Sequence, residues 1–259
     1  MILAGGRSPR SLTESAAEHE RWIVLSSLAF VTALGLYLTF ASGDRLMMTD
    51  ATAWPAGYAA LLFVMWWSMM LAMMLPSAAA AILIYAGIRR NFSAKGQWQP
   101  PLLVFVSGYA AIWTVFSAAA VALQTLVRDV IPMTGMMALT SARLGGVLLL
   151  AAGFYQLTPL KNACLRRCQS PLFYFARNWQ KGAAGALRMG LAHGFYCLGC
   201  CWVLMGLLFY GGVMELRWIV GLALYVAAEK LIPASWRISG FTGAALIVWG
   251  LWVLARTLW

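Results

Sequence analysis

Charged residues are scarce in this chain of 259 residues, of which only 10% are charged and 62% are apolar. A soluble domain is about 45–50% apolar and about 25% charged. The mean hydropathy of +0.77 therefore excludes both a water-soluble globule and a disordered chain. Since a bilayer crossing uses roughly 20 residues, the apolar segments leave no room for a separate soluble domain. We predict a single polytopic membrane domain over residues 1–259.

Acidic residues are especially few, with 8 Asp and Glu against 19 Lys and Arg and a formal charge of +11. In a soluble protein this excess would suggest nucleic acid. Basic residues in the short loops of a membrane protein instead set topology and contact anionic headgroups, so we expect membrane lipid and no nucleic acid as a partner. Glycine-rich phosphate loops, paired carboxylates and a Ser-His-Asp order are absent from the sequence, which excludes hydrolytic and phosphoryl-transfer enzymes.

Apolar segments long enough to be membrane spans occur along the whole chain. They predict an all-α integral membrane protein with about seven transmembrane helices in a bundle. Most Lys and Arg residues fall on the side of the amino terminus, which places that terminus in the cytoplasm and the carboxyl terminus outside. The loop before the fifth span, at Pro171–Trp179, combines aromatic and basic residues and is expected to lie on the headgroups. The predicted spans are Trp22–Phe40, Tyr58–Tyr85, Pro101–Leu126, Leu144–Leu160, Gly185–Tyr210, Leu216–Ile232 and Gly240–Leu254.

Methionine is abundant, with 14 residues, and most of these fall in three clusters. Thioethers bind copper(I) well and hard ions badly, although methionine also fills gaps in apolar cores. The second cluster lies inside the second span, with Met65, Met69 and Met73 along one line. The third lies in an outer loop, where packing explains thioethers less well, and is predicted to capture metal. The clusters are Met47 and Met48; Met65, Met69, Met70, Met73 and Met74; and Met133, Met136 and Met137.

The fifth span carries the clearest chemical pattern. At about 100° per residue, one imidazole and three thiols share one side of the helix, with a thioether one turn away. Each residue alone has a plain structural explanation, because cysteine is a small buried apolar residue and a membrane histidine usually hydrogen-bonds a neighbouring helix. Together they favour a metal site, with copper(I) as the expected ion and zinc as the alternative. We call this set the His-Cys face: Met189, His193, Cys197, Cys200 and Cys201.

Two further cysteines follow the fourth span. Cys164 and Cys168 are four residues apart, so both sulfurs share one face if the helix continues, and we place them at the cytoplasmic mouth as metal ligands. Lys161, Arg166 and Arg167 are expected to lower the pKa of these thiols and favour the metal-binding thiolate.

Three other features of the sequence concern a charged residue, helix packing and a helix kink. Glu229, near the inner end of the sixth span, either pairs with a basic side chain, binds a proton or ion, or lies among headgroups beside a snorkelling Lys230. Gly240 and Gly243 are expected to allow close helix packing. Pro76 is expected to kink the second span.

Several of these motifs occur in one known family. Met69–Pro76, Tyr155–Lys161, Cys164–Pro171 and Cys197–Met205 resemble the predicted metal-binding integral membrane proteins of bacteria, a family of unknown function. The resemblance covers the chain from about the second span to the end of the sixth. It implies metal binding by a multi-pass protein of the bacterial inner membrane.

The combined pattern predicts a soft-metal-binding membrane protein that is not an enzyme. It either transports copper(I) across the inner membrane or delivers it to a cuproenzyme, and a metallochaperone or cuproenzyme is the expected partner. One alternative is a membrane thiol–disulfide oxidoreductase that uses Cys197 and Cys200, with Cys164 and Cys168 as exchange partners. A second alternative is a structural subunit of a membrane complex.

Overall fold

The computed structural model describes residues 9–48, 56–127, 134, 137–232 and 238–257, and only the backbone of residues 9–17 and 47–48. The described residues form an all-α protein of eleven helices. In chain order these are α1 (Pro9–Met48), α2 (Ala56–Ser77), α3 (Ala79–Ala94), α4 (Leu102–Val127), α5 (Ala142–Leu157), α6 (Pro159–Gln169), α7 (Pro171–Asn178), α8 (Gly182–Gly206), α9 (Leu208–Gly211), α10 (Leu216–Leu231) and α11 (Ile238–Arg256).

Five helical segments in the described part of the chain are long and apolar enough to cross a membrane. The fourth and sixth predicted spans correspond instead to α5 and α10, which have 16 residues each. A helix of that length covers about 24 Å, less than the roughly 30 Å of a hydrocarbon core. Seven crossings and a cytoplasmic amino terminus therefore stay predictions. The five segments are Glu18–Leu46, Ala56–Ser77, Leu102–Leu126, Gly182–Gly211 and Ile238–Arg256.

Prolines explain why two predicted spans do not match single helices. The second predicted span is divided between α2 and α3, with Pro76 in the last turn of α2. The fourth ends at Leu157, and α6 begins at Pro159 after the Thr158 side chain caps the new helix. Proline has no amide hydrogen to donate and its ring clashes with the preceding turn, so a helix rarely continues through it.

Glycines let α5 and α11 pack closely along their length. A Cβ added at Gly153 would lie 2.8 Å from the carbonyl oxygen of Gly243, and one at Gly250 would lie 3.0 Å from that of Gly146. Small residues permit this close backbone approach between membrane helices. The prediction of close packing is therefore confirmed for Gly243. It is wrong for Gly240, which has no atom within 4 Å of the place where its Cβ would be.

A second close contact places α8 against α4. Gly190 of α8 approaches the backbone of α4 so closely that an added Cβ would lie 3.1 Å from the Tyr109 amide nitrogen. On its other side α4 packs against α2, where the Trp67 indole donates a hydrogen bond of 2.9 Å to Thr114. Besides α4, the helix α8 packs on α5, α6 and α10.

We predict that Gly153→Ala destabilises the protein, whereas Gly240→Ala does not. The added methyl at position 153 forces α5 away from α11, and overpacking of this kind costs about 1–3 kcal/mol. At position 240 the methyl meets no neighbour, and alanine favours a helix over glycine by up to about 1 kcal/mol. Thermal unfolding in mild detergent, followed by circular dichroism, measures both. Equal midpoints for the two variants would contradict the glycine contact.

Candidate metal centre

The cysteines of this chain lie inside the bundle and are reduced. All five are buried, and none forms a disulfide. The His-Cys face is buried along its whole length, from Met189 at 1% exposure and His193 at 4% to Cys201 at 0%. These residues are therefore buried together on one side of α8, as their helical spacing predicts. Metal binding by them stays a prediction.

Four helices meet around the sulfur of Cys197. The Sγ atom lies 3.1 Å from the Tyr109 hydroxyl on α4 and accepts a hydrogen bond of 3.0 Å from the Lys230 ammonium group on α10. Lys230 also donates to the Ser77 hydroxyl on α2 at 2.7 Å, and Tyr109 donates to the Met74 carbonyl oxygen at 2.8 Å. Cys197 is thus the only thiol in the described part of the chain with a direct contact to a charged group.

The other two thiols of α8 contact their own helix. The thiol groups of Cys200 and Cys201 each donate to the Cys197 carbonyl oxygen, at 3.0 and 3.1 Å. This is the ordinary local bond of a hydroxyl or thiol in a helix. Cys201 also neighbours the Cys197 and Cys200 side chains, and Cys200 neighbours Cys168, so the thiols of α8 and α6 contact one another.

The Cys164 and Cys168 pair packs on α8. The α6 helix continues through both residues and buries them, as the spacing of four predicts. Cys168 neighbours Cys200, and the Cys164 sulfur would lie 2.7 Å from a Cβ added at Gly199. Because glycine at position 199 leaves room for that sulfur, the pair lies next to the thiols of α8. The place of this pair at the cytoplasmic mouth and its role in metal binding stay predictions.

The basic residues near this pair do not support its thiolates as predicted. Lys161 turns away to form an ion pair with Glu229, and the Arg167 guanidinium stacks on the Tyr196 ring at 4.5 Å. Burial raises the pKa of the Cys164 thiol, and this effect outweighs the opposing effect of Arg167. Removal from water disfavours the charged thiolate, so the expected lowering of the pKa is wrong for Cys164.

The methionines of α2 are all buried but face two directions. One face of α2 packs on α1, where Ser68 lies 3.0 Å from Thr39. Ser77 is nine residues after Ser68, which is about two and a half turns of the helix. It therefore lies on the opposite face, where it contacts Lys230. The methionines divided between these faces are Met65, Met69, Met70, Met73 and Met74, with exposures of 3% or less.

Helical spacing assigns the individual methionines to these two faces. Met65 is three residues before Ser68 and lies on the α1 side. Met70 is seven residues before Ser77 and Met74 is three before it, so both lie on the side of Lys230 and Cys197. Met73 is four residues before Ser77, about 40° from it around the helix, so it lies on this side as well, and Met69 falls between. The thioethers on the side of the thiols are therefore Met70, Met73 and Met74, and metal binding by any of the five methionines stays a prediction.

The outer methionine clusters are described only in part. Met137 is buried, with 9% of its surface exposed, and its sulfur lies 3.3 Å from the Gln124 side-chain amide nitrogen. Met133 and Met136 lie outside the described residues, as do the side chains of Met47 and Met48. Capture of metal by Met133, Met136 and Met137 stays a prediction.

His193 lies one turn from Cys197 and contacts aromatic rings of α4. Its imidazole is 5.8 Å from the Tyr109 ring and 6.2 Å from the Phe105 ring, measured between centroids. Among the described residues no three His, Cys, Asp or Glu side chains are grouped as a metal site. A soft ion in this interior therefore needs thioether ligands or a movement of the thiols.

Glu229 forms a buried ion pair, as one explanation of its sequence position predicts. Lys161 donates to both carboxylate oxygens, at 2.8 and 2.7 Å, and also to Gln156. Tyr225 and Ser239 donate to the same carboxylate. Glu229 is 3% exposed and Lys161 is fully buried. Every carboxylate oxygen of Glu229 thus has a donor, and binding of a proton or ion by Glu229 stays a prediction.

Sequence reasoning missed three residues of this interior. Lys230 is 8% exposed and contacts Cys197, so its expected snorkelling to the headgroups is wrong. Tyr109 and Ser77, which complete the polar surroundings of Cys197, have no chemical motif around them. An ammonium group within an apolar span was the one available signal, because such a charge requires a partner in the interior.

The comparisons with known proteins concern the same part of the chain. The sequence profile of the PpoB2 copper chaperone family matches residues 63–253. The chain belongs to this copper chaperone family. The matched region runs from α2 to α11 and includes all five cysteines, Lys161, Glu229 and Lys230. No curated protein and no solved structure matches the chain significantly. A copper-related role is therefore confirmed by the family, and a bacterial origin stays a prediction.

We predict that Lys161→Met strongly destabilises the protein and that adding Glu229→Gln restores most of the loss. Removing one partner of a buried ion pair leaves an uncompensated charge, at a cost of about 3–5 kcal/mol, whereas removing both charges is often nearly neutral. The amide at position 229 still accepts hydrogen bonds from Tyr225 and Ser239. Thermal unfolding in detergent measures the three variants, and a double variant less stable than Lys161→Met would contradict the prediction.

Proposed function

We propose that this protein binds copper(I) as cargo inside the helical bundle and either transports it across the membrane or delivers it to a cuproenzyme. The observation that carries the proposal is the convergence of the buried, reduced thiols of α6 and α8 with the Met70 and Met74 side of α2. This arrangement occurs in a chain of a copper chaperone family. Thiolate and thioether sulfur are the ligands that select copper(I).

The donor set favours copper(I) over zinc. A structural zinc site has four ligands in tetrahedral geometry, drawn from cysteine, histidine and carboxylate. No such group of three or more is present in the described part of the chain. Copper(I) accepts sulfur from both thiolates and thioethers, so a pair of thiols such as Cys197 and Cys200 with Met70 or Met74 supplies enough soft donors.

Lys230 supplies a charge that matches such a complex. A buried ammonium group is costly unless an anion lies beside it, and Glu229 is already paired with Lys161. The side-chain partners of Lys230 are the Ser77 hydroxyl and the Cys197 sulfur. Copper(I) bound by two thiolates carries one net negative charge, which the Lys230 ammonium group would neutralise. We assign Cys197 the central place among the proposed ligands for this reason.

We predict that Met70→Leu with Met74→Leu weakens copper(I) binding by about tenfold, the effect of losing a weak sulfur ligand. Leucine keeps the apolar volume nearly constant, so the fold should be retained. Met65→Leu is the matched control, because that residue is equally buried but lies on the α1 side. Competition with a chromophoric copper(I) chelator in detergent measures the affinities. An equal loss in Met65→Leu would refute the assignment of the facing methionines.

The oxidoreductase alternative predicts a different state of the same thiols. A redox pair must cycle through a disulfide, whereas a copper(I) site requires thiolates that stay reduced. Free cysteines fit either function, and the match to a copper chaperone family favours the metal site.

We predict that copper(I) protects Cys197 and Cys200 from alkylation in membranes and that both are reduced in cells. Mass spectrometry of alkylated peptides measures both the protection by copper(I) and the redox state in cells. In the variant Cys197→Ser, copper(I) should no longer protect Cys200. Finding Cys197 and Cys200 mostly disulfide-bonded in cells would favour the oxidoreductase. Absence of protection together with absence of stoichiometric copper would favour a structural subunit.

A further inference from the structure

The short helix α7 lies beside the bundle with two different faces. Pro171 and Phe175 are buried, and Phe175 packs against the rings of Tyr85 and Phe105. The opposite face leaves Leu172 and Phe173 each 60% exposed. An apolar face of this kind on a short helix is typical of a segment that inserts into the membrane interface.

Three arginines surround a cavity between the end of α6 and α7. The cavity has a volume of about 490 Å³. It is lined by Arg166, Arg167 and Arg177, by Ser170 between the two helices, and by Tyr174 and other residues of α7. The Arg177 guanidinium stacks on the Phe173 ring at 4.5 Å, and that of Arg167 stacks on Tyr196 at the same distance. Stacking orients a guanidinium while leaving N–H groups on its edge for an anion.

The positive charge of this cavity has no acidic counterpart in the described part of the chain. Its lining contains no Asp or Glu, and none of the three arginines forms an ion pair there. By contrast, Arg89 and Arg90 on α3 both pair with Glu20. A group of three unpaired guanidinium groups is a binding site for an anion, and planar Arg groups match phosphate oxygens in paired hydrogen bonds.

We propose that this cavity binds the phosphate of an anionic phospholipid headgroup, with Leu172 and Phe173 inserted among the acyl chains beside it. The combination of exposed apolar side chains and unpaired arginines on one short surface favours a lipid over a soluble partner, since an acidic protein surface would leave the two apolar side chains exposed to water. The headgroup would hold α7, and through Phe175 the adjoining part of α3 and α4, at a defined depth in the membrane. The site shares α6 with Cys164 and Cys168 but uses none of the proposed copper ligands.

Native mass spectrometry of the detergent-purified full chain tests the proposal by titration with phosphatidylglycerol or phosphatidylcholine. We expect wild type to bind phosphatidylglycerol preferentially. The triple variant Arg166→Gln, Arg167→Gln, Arg177→Gln should lose that affinity by about tenfold or more, because each basic residue near the surface contributes to anionic-lipid binding. The matched control changes Arg143, Arg217 and Arg256 to Gln; these are exposed at the opposite end of α5, α10 and α11 and remove the same charge.

The outcomes distinguish a headgroup site from general charge attraction. An equal loss in the control triple, or no preference for phosphatidylglycerol in wild type, would overturn the proposal. Stronger, salt-sensitive binding of a polyaspartate peptide at the same arginines would overturn it in favour of an acidic protein partner. If the triple variant does not fold, Arg177→Gln alone must lower the phosphatidylglycerol affinity, and an unchanged affinity would also overturn the proposal. Copper(I) binding should be unchanged in Arg177→Gln, which separates this test from that of the copper site.

Discussion

Two adjacent charges on α10, Glu229 and Lys230, impose the constraint on which the interior of this protein depends. Neither is solvated by water, so each requires a partner from another helix. Glu229 binds Lys161 and thereby holds α6 against the bundle. Lys230 binds Ser77 of α2 and Cys197 of α8. The same two contacts bring Cys164 and Cys168, the α2 methionines and the thiols of α8 into one region.

The resulting interior separates two kinds of charge chemistry. The Lys161–Glu229 pair is neutral as a unit: Lys161 also donates to Gln156, and Tyr225 and Ser239 donate to Glu229, which suits a structural role. Among the described residues, the side-chain partners of Lys230 are a hydroxyl and a sulfur, so the proposed copper site would place a negatively charged sulfur complex beside it. The position of each lysine thus gives it a different role, although both are buried cations within one apolar bundle.

Helix packing and prolines account for most of the difference between the predicted and observed architecture. Hydropathy located the long apolar helices, because apolar runs must be buried or placed in lipid. It did not show that Pro76 and Pro159 divide two runs into separate helices, since composition averages over a single proline. Gly243 was recognised as a packing residue, but Gly240 in the same helix faces open space. The sequence of one segment does not show which side of its helix meets a neighbouring helix.

The sequence by itself determined a helical membrane protein with thiols and an imidazole on one side of a single helix, since these follow from hydropathy and from 100° spacing within one segment. Only the tertiary structure decided which elements meet that side. It brought Cys164 and Cys168 next to Cys200, turned Lys161 toward Glu229 and placed Lys230 against Cys197. These are contacts between residues far apart in the chain, and they depend on how backbones approach at glycines and on which buried charges must be paired.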